Sequence, residues 1–222
     1  MLKRVLTGTF LVILFSIGLA FRFGGGGPAV YYFPGGTFFA DFKNINVPIV
    51  EIQTFDNGII AFGGYGYGGI PGEMYSGGYG FGGEKEYTTS SGTYKVSVSG
   101  GFGGGMKKIN FNNFSLTAAL GIGGLDLSIE KKVNEGNTSV TNLQNGNLEG
   151  YLGATISYFA ISADLGMGIQ ILPFMELQVG AIAFVGYSFD GWTVSNKPLT
   201  GLTKDYRLLL NYALYGGIGF GF

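Results

Sequence analysis

Residues 174–189 read FMELQVGAIAFVGYSF, and their side chains alternate with a period of two. Every second residue from Met175 to Phe189 is apolar, whereas polar or small residues such as Glu176 and Gln178 occupy most positions between them. Successive side chains of a β-strand point to opposite faces of a sheet. The alternation therefore predicts a strand with two different faces.

The same alternation recurs from residue 58 to the end of the chain and predicts eight strands. They span residues 58–69, 73–87, 92–107, 114–130, 147–158, 159–172, 174–189 and 205–222. Within 114–130 the apolar positions change from even to odd numbers across Gly123-Gly124, which predicts a β-bulge. Residues 21–57 are less regular: they supply one or two further strands, at 22–33 and 49–55, or they fold as a plug.

Glycine dominates the second face of these strands, and the chain has 43 glycines among its 222 residues. Glycine destabilises a strand interior, so its frequent use needs a reason, and crowding inside a narrow closed barrel is the simplest one. The apolar face is then expected to meet lipid. In residues 92–107 that face carries Tyr94, Val96, Val98, Phe102 and Met106. The predicted fold is an all-β, antiparallel, up-and-down transmembrane β-barrel of eight to ten strands.

Composition excludes several classes of function. The chain has 13 basic and 14 acidic residues, which supply no electrostatic footprint for nucleic acid. It has no Cys and no His, which removes disulfides, thiolate or imidazole metal sites and Ser-His-Asp catalysis. A GxGxxG match at residues 64–69 is not followed by a helical pattern, so no cofactor is predicted. We expect no enzymatic activity and no metal site.

The first 20 residues have the features of a secretory signal peptide. Lys3 and Arg4 precede an apolar run, and Gly18-Leu19-Ala20 provides small residues before a cut at Phe21. A retained membrane helix is the alternative, but the run is shorter than such a helix prefers. The predicted organisation is a signal peptide at 1–20, an irregular segment at 21–57 and a barrel at 58–222.

The end of the chain, YRLLLNYALYGGIGFGF at residues 206–222, resembles the C-terminal signal of bacterial outer-membrane β-barrels. The resemblance implies a bacterial outer-membrane location after cleavage near Ala20, with membrane lipid and the barrel insertion machinery as partners. It also implies that the machinery reads alternate residues of the last strand, namely Tyr212, Leu214, Ile218, Phe220 and Phe222. The glycine-rich blocks also look like those of uncharacterised glycine-rich secreted proteins, a likeness that implies no activity.

Charged residues on the polar faces of separate strands are the candidate site. They are Lys95, Glu149, Asp164, Glu176 and Arg207. Unpaired charges inside a closed barrel would be costly, so these residues are expected to pair with one another or to meet trapped water. Such a cluster either fills the lumen as an ion-pair network or forms a conduction path or a ligand contact.

Three functions remain open at this point. The first is an outer-membrane barrel with a filled lumen and a structural or surface-interaction role, and the second is a narrow pore for small solutes. The third is a secreted, soluble, glycine-rich β protein of the cell envelope. The predicted strands conflict with one rule: long loops of such barrels are usually extracellular, yet strict alternation places the loop 131–146 opposite the loop 190–204.

Overall fold

The structure is a computed structural model that describes residues 24–34, 58–70, 73–89, 92–133, 150–200 and 206–221. These residues form an all-β protein without a helix. Eight antiparallel strands close into a barrel, and two short strands lie outside it. Among the described residues, no helix has the length and apolar character needed to cross a membrane.

Ten strands are present in the described part of the chain. They are β1 (Gly24–Phe33), β2 (Ile59–Gly68), β3 (Tyr75–Thr89), β4 (Gly92–Phe111), β5 (Phe114–Val133), β6 (Gly150–Leu172), β7 (Met175–Tyr187), β8 (Thr193–Val194), β9 (Lys197–Pro198) and β10 (Leu208–Phe220). Each barrel strand pairs with its neighbour in sequence, and β10 closes the barrel by pairing with β7 and β1. The strands β8 and β9 form a small hairpin attached to β6.

A circuit of the barrel along paired residues shows how strongly the strands tilt. The circuit starts at Phe159 on β6, passes through every strand and returns to β6 at Ile169, ten residues farther along. A stagger of this size over eight strands corresponds to a tilt of about 40°, within the usual range for closed barrels. The interior of an eight-stranded barrel is just wide enough for side chains to fill it.

Two of the predicted strands form a single strand in the structure, and the N-terminal segment supplies an additional strand of the barrel. Residues 147–158 and 159–172 were expected to be separate strands, but β6 runs unbroken from Gly150 to Leu172. The expected strand at 22–33 is present as β1, at Gly24–Phe33, and it forms part of the barrel wall. The expected strand at 49–55 lies outside the described residues.

The single long β6 also removes the conflict over loop placement. At one end of the barrel, β1, β3, β5 and β7 end and β2, β4, β6 and β10 begin. Three of the four chain segments that join these strand ends are long, namely 34–58, 134–149 and 188–207. At the other end the joining segments 69–74, 112–113 and 173–174 are short, and β1 begins and β10 ends there. We call these the long-loop end and the short-turn end.

The predicted β-bulge at Gly123-Gly124 is wrong. β5 pairs with β4 and with β6 in continuous register through both glycines. The apolar residues change parity because they change sides. Leu120 and Ile122 lie on the outer surface, whereas Leu125 and Leu127 are buried inside the barrel.

The predicted lipid-facing side of β4 is also wrong. Its apolar residues, Tyr94, Val96, Val98, Phe102 and Met106, are all buried in the interior. The odd-numbered residues between them, Ser97, Ser99, Gly101, Gly103 and Gly105, lie on the opposite, outward face. The alternation correctly separates the two faces, but the large side chains point inward here because a narrow barrel must fill its lumen.

The outer surface has two sectors. On β5, β6, β7 and β10 large apolar side chains are exposed, and on β6 they follow one another from Phe159 to Ile171. In the middle of the adjacent strands β2, β3 and β4, the outer positions within 64–68, 78–82 and 101–105 are all glycine, and Gly66, Gly82 and Gly101 would each have open space around an added Cβ. We call these the apolar sector and the glycine sector.

At the long-loop end, β3 to β6 continue beyond the apolar sector as an extended sheet. The outward side of this extension is polar: Lys95 pairs with Glu84 at 2.7 Å, and the hydroxyl groups of Ser97 and Ser128 are 2.6 Å apart. Its inward side is apolar. Trp192, which directly precedes β8, packs in the core on that side and is only 4% exposed.

Candidate functional site: the barrel interior

Aromatic side chains fill the middle of the lumen. Phe81 on β3 and Phe184 on β7 come from opposite walls, and their ring centroids are 6.0 Å apart. Phe102 lies 5.3 Å from Phe184, and Phe33 lies 5.0 Å from Phe81. All four rings are buried. These rings pack against one another across the middle of the lumen, and we call the ring cluster the aromatic plug.

A buried ion pair lies between the plug and the short-turn end. The Lys108 ammonium on β4 donates to one carboxylate oxygen of Glu176 on β7, and Ser115 on β5 donates to the other. The side chains of Lys108 and Glu176 are 4% and 7% exposed. Three strands are thus linked through one carboxylate, whose charge is compensated and hydrogen-bonded as burial requires.

A polar vestibule lies on the short-turn side of this ion pair. It is a cavity of about 80 Å³ lined by Lys108, Glu176, Ser115, Gln170 and the asparagines of the turn between β4 and β5. Both turn residues, Asn112 and Asn113, are exposed, and Asn112 has a φ of 54°, which asparagine tolerates in a tight turn. The vestibule lies at the short-turn end of the lumen, and the aromatic plug lies farther inside the barrel.

A second, smaller cavity lies between the ion pair and the plug. It measures about 20 Å³, and tyrosines from four strands surround a single carboxyl group, that of Asp164 on β6. The Tyr215 hydroxyl bonds to Asp164 and to Thr117. At this cavity Asp164 Oδ1 and Gln178 Nε2 are buried without a hydrogen-bond partner among the described residues. We call it the tyrosine cavity.

The predicted lumen cluster is placed in several regions. Asp164 and Glu176 are inside the barrel, but in different sites, the tyrosine cavity and the buried ion pair. Lys95 lies on the outward side of the extended sheet, because the buried residues of β4 have even numbers. Arg207 is exposed next to the start of β10, and Glu149 lies outside the described residues. The four described residues of this set do not form one network.

The sequence prediction missed Lys108, the partner of Glu176. Lys108 follows Met106 on the face of β4 that was expected to meet lipid. Reversing that face would have placed Lys108 in the lumen, where a buried lysine requires an acidic partner. The partly buried Tyr65 and the buried Tyr79 were also missed, because the glycine blocks around them were interpreted as packing of aromatic rings over glycine and their hydroxyl groups were not considered.

The residues of the predicted insertion signal follow the outer surface of the last strand. Tyr212, Leu214, Ile218 and Phe220 all point outward and are 38–47% exposed. Phe222 lies outside the described residues. Their reading by an insertion machinery stays a prediction.

The search for related proteins identifies no family: no protein-family model matches the chain, and no curated protein matches it significantly. The described residues also contain no group of three or more acidic residues placed to hold a metal ion.

Proposed function

We propose that this protein is a bacterial outer-membrane β-barrel with a closed lumen, which anchors an interaction surface at the cell exterior. The surface is the extended sheet of β3 to β6 together with the long connections at the same end. Long loops of outer-membrane barrels are usually extracellular and short turns periplasmic, which orients the long-loop end outward.

One observation supports this proposal most strongly: at one height along the barrel, the large apolar side chains change from the outer surface to the interior. On β5 the outer surface is apolar up to Ile122, and from Leu125 onward the interior is apolar instead. On β6 the same change occurs between Tyr158 and Phe159. Leu125 pairs directly with Tyr158, so both strands change at one level. Such a level is expected where strands leave a hydrocarbon layer and enter water, since lipid favours apolar exteriors and water does not.

The aromatic plug favours a closed lumen rather than a narrow pore. A solute entering the polar vestibule at the short-turn end would meet Phe81, Phe102 and Phe184 in mutual contact. The vestibule is the observation that favours a pore, but it occupies only one end. We therefore propose a structural and surface-interaction role and keep the pore as the second candidate.

Membrane fractionation combined with heat modifiability tests the barrel. The full-length chain is expressed in a diderm bacterium, and unboiled and boiled samples of each fraction are compared on a detergent gel. We expect the protein in the outer-membrane fraction, with the unboiled form migrating faster. Extraction by carbonate without a migration shift would overturn the proposal and favour the secreted envelope protein.

Planar bilayer recordings separate the closed barrel from the pore. We expect that the purified heat-modifiable protein produces no unitary conductance steps in about 1 M salt, a concentration that screens electrostatic barriers to ion passage. Reproducible steps that disappear on boiling would show the pore and contradict the closed lumen, while leaving membrane insertion intact.

A further inference from the structure

A groove crosses the apolar sector and ends at a lysine on β4. It has a volume of about 780 Å³ and lies on the outer surface of β4, β5, β6, β7 and β10. Five exposed residues that line it are paired one with the next across neighbouring strands. They are Lys107, Ala118, Leu165, Ala181 and Leu214. Four strand spacings give this row a length of about 19 Å.

The two alanines account for the depth of the groove. The methyl groups of Ala118 and Ala181 cover less of the barrel wall than the larger exposed side chains around them do. Gly166 and Gly180 belong to the inward face of their strands, yet both line the groove, so it reaches down to the strand backbone. Its walls include the exposed side chains of Leu116, Met167 and Val179.

Lys107 is the one outward-pointing charged residue on the described barrel strands between the short-turn end and the height at which the apolar side chains change sides. It lies four residues before β4 ends at Phe111. A charge that faces lipid is costly at the bilayer centre and costs little near the interface. Lysine also reaches an interface by laying its apolar stem along the protein surface. The ammonium is therefore expected at the headgroups on the short-turn side.

The tilt of the strands gives the groove a direction. Followed along paired residues from β6 through β5 to β4, each row moves toward the short-turn end, as the circuit from Phe159 to Ile169 shows. The row in the groove therefore approaches the short-turn end from Leu214 to Lys107. Its charged end lies near the interface and its apolar remainder lies deeper, as do the headgroup and acyl chain of one phospholipid.

We propose that this groove binds one anionic phospholipid, with its phosphate at Lys107 and an acyl chain over Ala118 and Ala181. Lipid tails are as apolar as leucine, so the apolar part of the groove accepts a chain without selecting a particular lipid. Selection comes from the ammonium, whose three N–H donors allow it to bind a phosphate oxygen beside contacts within the protein. The inference rests on the proposed function, because only a barrel in a membrane presents this groove to lipid.

Native mass spectrometry of the heat-modifiable, full-length protein in a neutral detergent tests the proposal. Phosphatidylglycerol and phosphatidylcholine with identical acyl chains are titrated separately, and the lipids retained per chain are counted. We expect one phosphatidylglycerol to be retained most tightly. Its apparent affinity should exceed that of phosphatidylcholine about fivefold, the contribution of one lysine near an anionic headgroup.

Variants separate the headgroup contact from the groove. Lys107→Gln should abolish the preference for phosphatidylglycerol, whereas Lys95→Gln, which changes an outward lysine on the extended part of the same strand, should preserve it. Ala118→Phe/Ala181→Phe fills the groove and should remove the retained lipid although Lys107 is still present. Ala163→Phe is the matched control, because Ala163 is an exposed alanine of β6 outside the lining of the groove.

Heat modifiability shows which variants are folded, and Ala118→Val/Ala181→Val replaces the phenylalanine pair if that pair does not fold. Equal retention of both lipids by the natural chain would overturn the proposal, as would a preference that survives Lys107→Gln. A dimer that disappears when the groove is filled would overturn it as well, since a second copy would then occupy the groove. A protein that enters the outer-membrane fraction without the lipid preference rejects this inference alone, whereas failure of the fractionation test rejects the proposed function too.

Discussion

At the scale of single residues, two neighbouring glycines differ in what they permit. An added Cβ at Gly101 would meet open space, whereas at Gly123 it would collide with the carbonyl oxygen of Gly101 on the paired strand. We expect Gly101→Ala to raise the free energy of unfolding by about 0.5–1 kcal/mol, because alanine restricts the unfolded chain. Gly123→Ala should lower it by about 1–3 kcal/mol, because the strands must separate to admit the methyl group.

Urea unfolding in detergent measures both glycine variants. The chain has a single Trp, and Trp192 is buried at the long-loop end, so its fluorescence should report the loss of the fold. Equal effects of the two substitutions would contradict the close approach of β4 and β5 at this point.

The buried ion pair makes a second prediction at this scale. Glu176→Gln or Lys108→Met alone should lower the free energy of unfolding by about 3–5 kcal/mol, because each leaves an uncompensated buried charge. The double variant Lys108→Met/Glu176→Gln removes both charges. Its loss of free energy of unfolding should be smaller than the sum of the two single losses, by a coupling energy of about 0.5–3 kcal/mol.

The exposed ion pair between Glu84 and Lys95 is the matched control. The Glu84 side chain is 63% exposed, so Glu84→Gln should change the free energy of unfolding by no more than about 1 kcal/mol. Additive effects of the Lys108 and Glu176 substitutions would show that their pairing does not contribute to stability.

At the scale of strands, alternation predicted most of the wall and failed at one recurring feature. The predicted segments 58–69, 73–87 and 174–189 correspond to β2, β3 and β7 with small differences at their ends. The change of parity in β5 was interpreted as a bulge, and the one in β6 as a break between two strands. Both are the same event, because the two changes occur at paired positions.

Alternation could not settle these points because it shows only that two faces differ. It does not show which face is inside, and a strand that crosses from one surrounding to another changes its apolar face without changing its backbone. The site depended on the same information. Glu176 and Asp164 lie inside, on strands with an outward apolar face. On β4, where the large side chains point inward, the predicted Lys95 lies outside and the lysine inside is Lys108, which was not predicted.

Cysteine labelling tests the change of sides on β5 and β6, since the natural chain has no Cys. In lipid vesicles, Asp126→Cys and Ser157→Cys should react with a water-soluble maleimide, because both positions are exposed beyond the apolar sector. Leu125→Cys should be protected by burial in the interior. A bulge at Gly123-Gly124 would instead expose position 125.

A further position separates lipid from water. Leu120 is 67% exposed, so Leu120→Cys should be protected in vesicles only if lipid covers the outer surface there. The same variant in urea should react fully, which shows that the thiol itself is reactive. Equal labelling of Leu120→Cys and Asp126→Cys in vesicles would place both positions in water.

At the scale of the whole molecule, the barrel reverses the arrangement of a soluble protein over part of its height. Near the short-turn end its exterior is apolar and its interior holds the ion pair and the tyrosine cavity. On the extended sheet of β3 to β6 at the long-loop end the exterior is polar and the interior is apolar, with Trp192 and Tyr158 in the core. A protein surrounded by water alone gains nothing from exposing Phe159, Leu165 and Ile171 in sequence, since such a surface promotes association.

Arginine substitution at two exposed leucines tests this arrangement. Leu165 is 69% exposed in the middle of the apolar run on β6, and Leu208 is 73% exposed at the long-loop end of β10. In lipid bilayers, Leu165→Arg should lower the free energy of unfolding by about 2–4 kcal/mol and Leu208→Arg by about 0–1 kcal/mol, because the penalty for a charge falls from the bilayer centre to its edge. Since the two leucines are almost equally exposed, a barrel in water would tolerate both substitutions alike. Urea titrations that give the same small change in the free energy of unfolding for both variants would therefore rule out a lipid-facing apolar sector. A larger loss for Leu165→Arg than for Leu208→Arg would locate the lipid around β6.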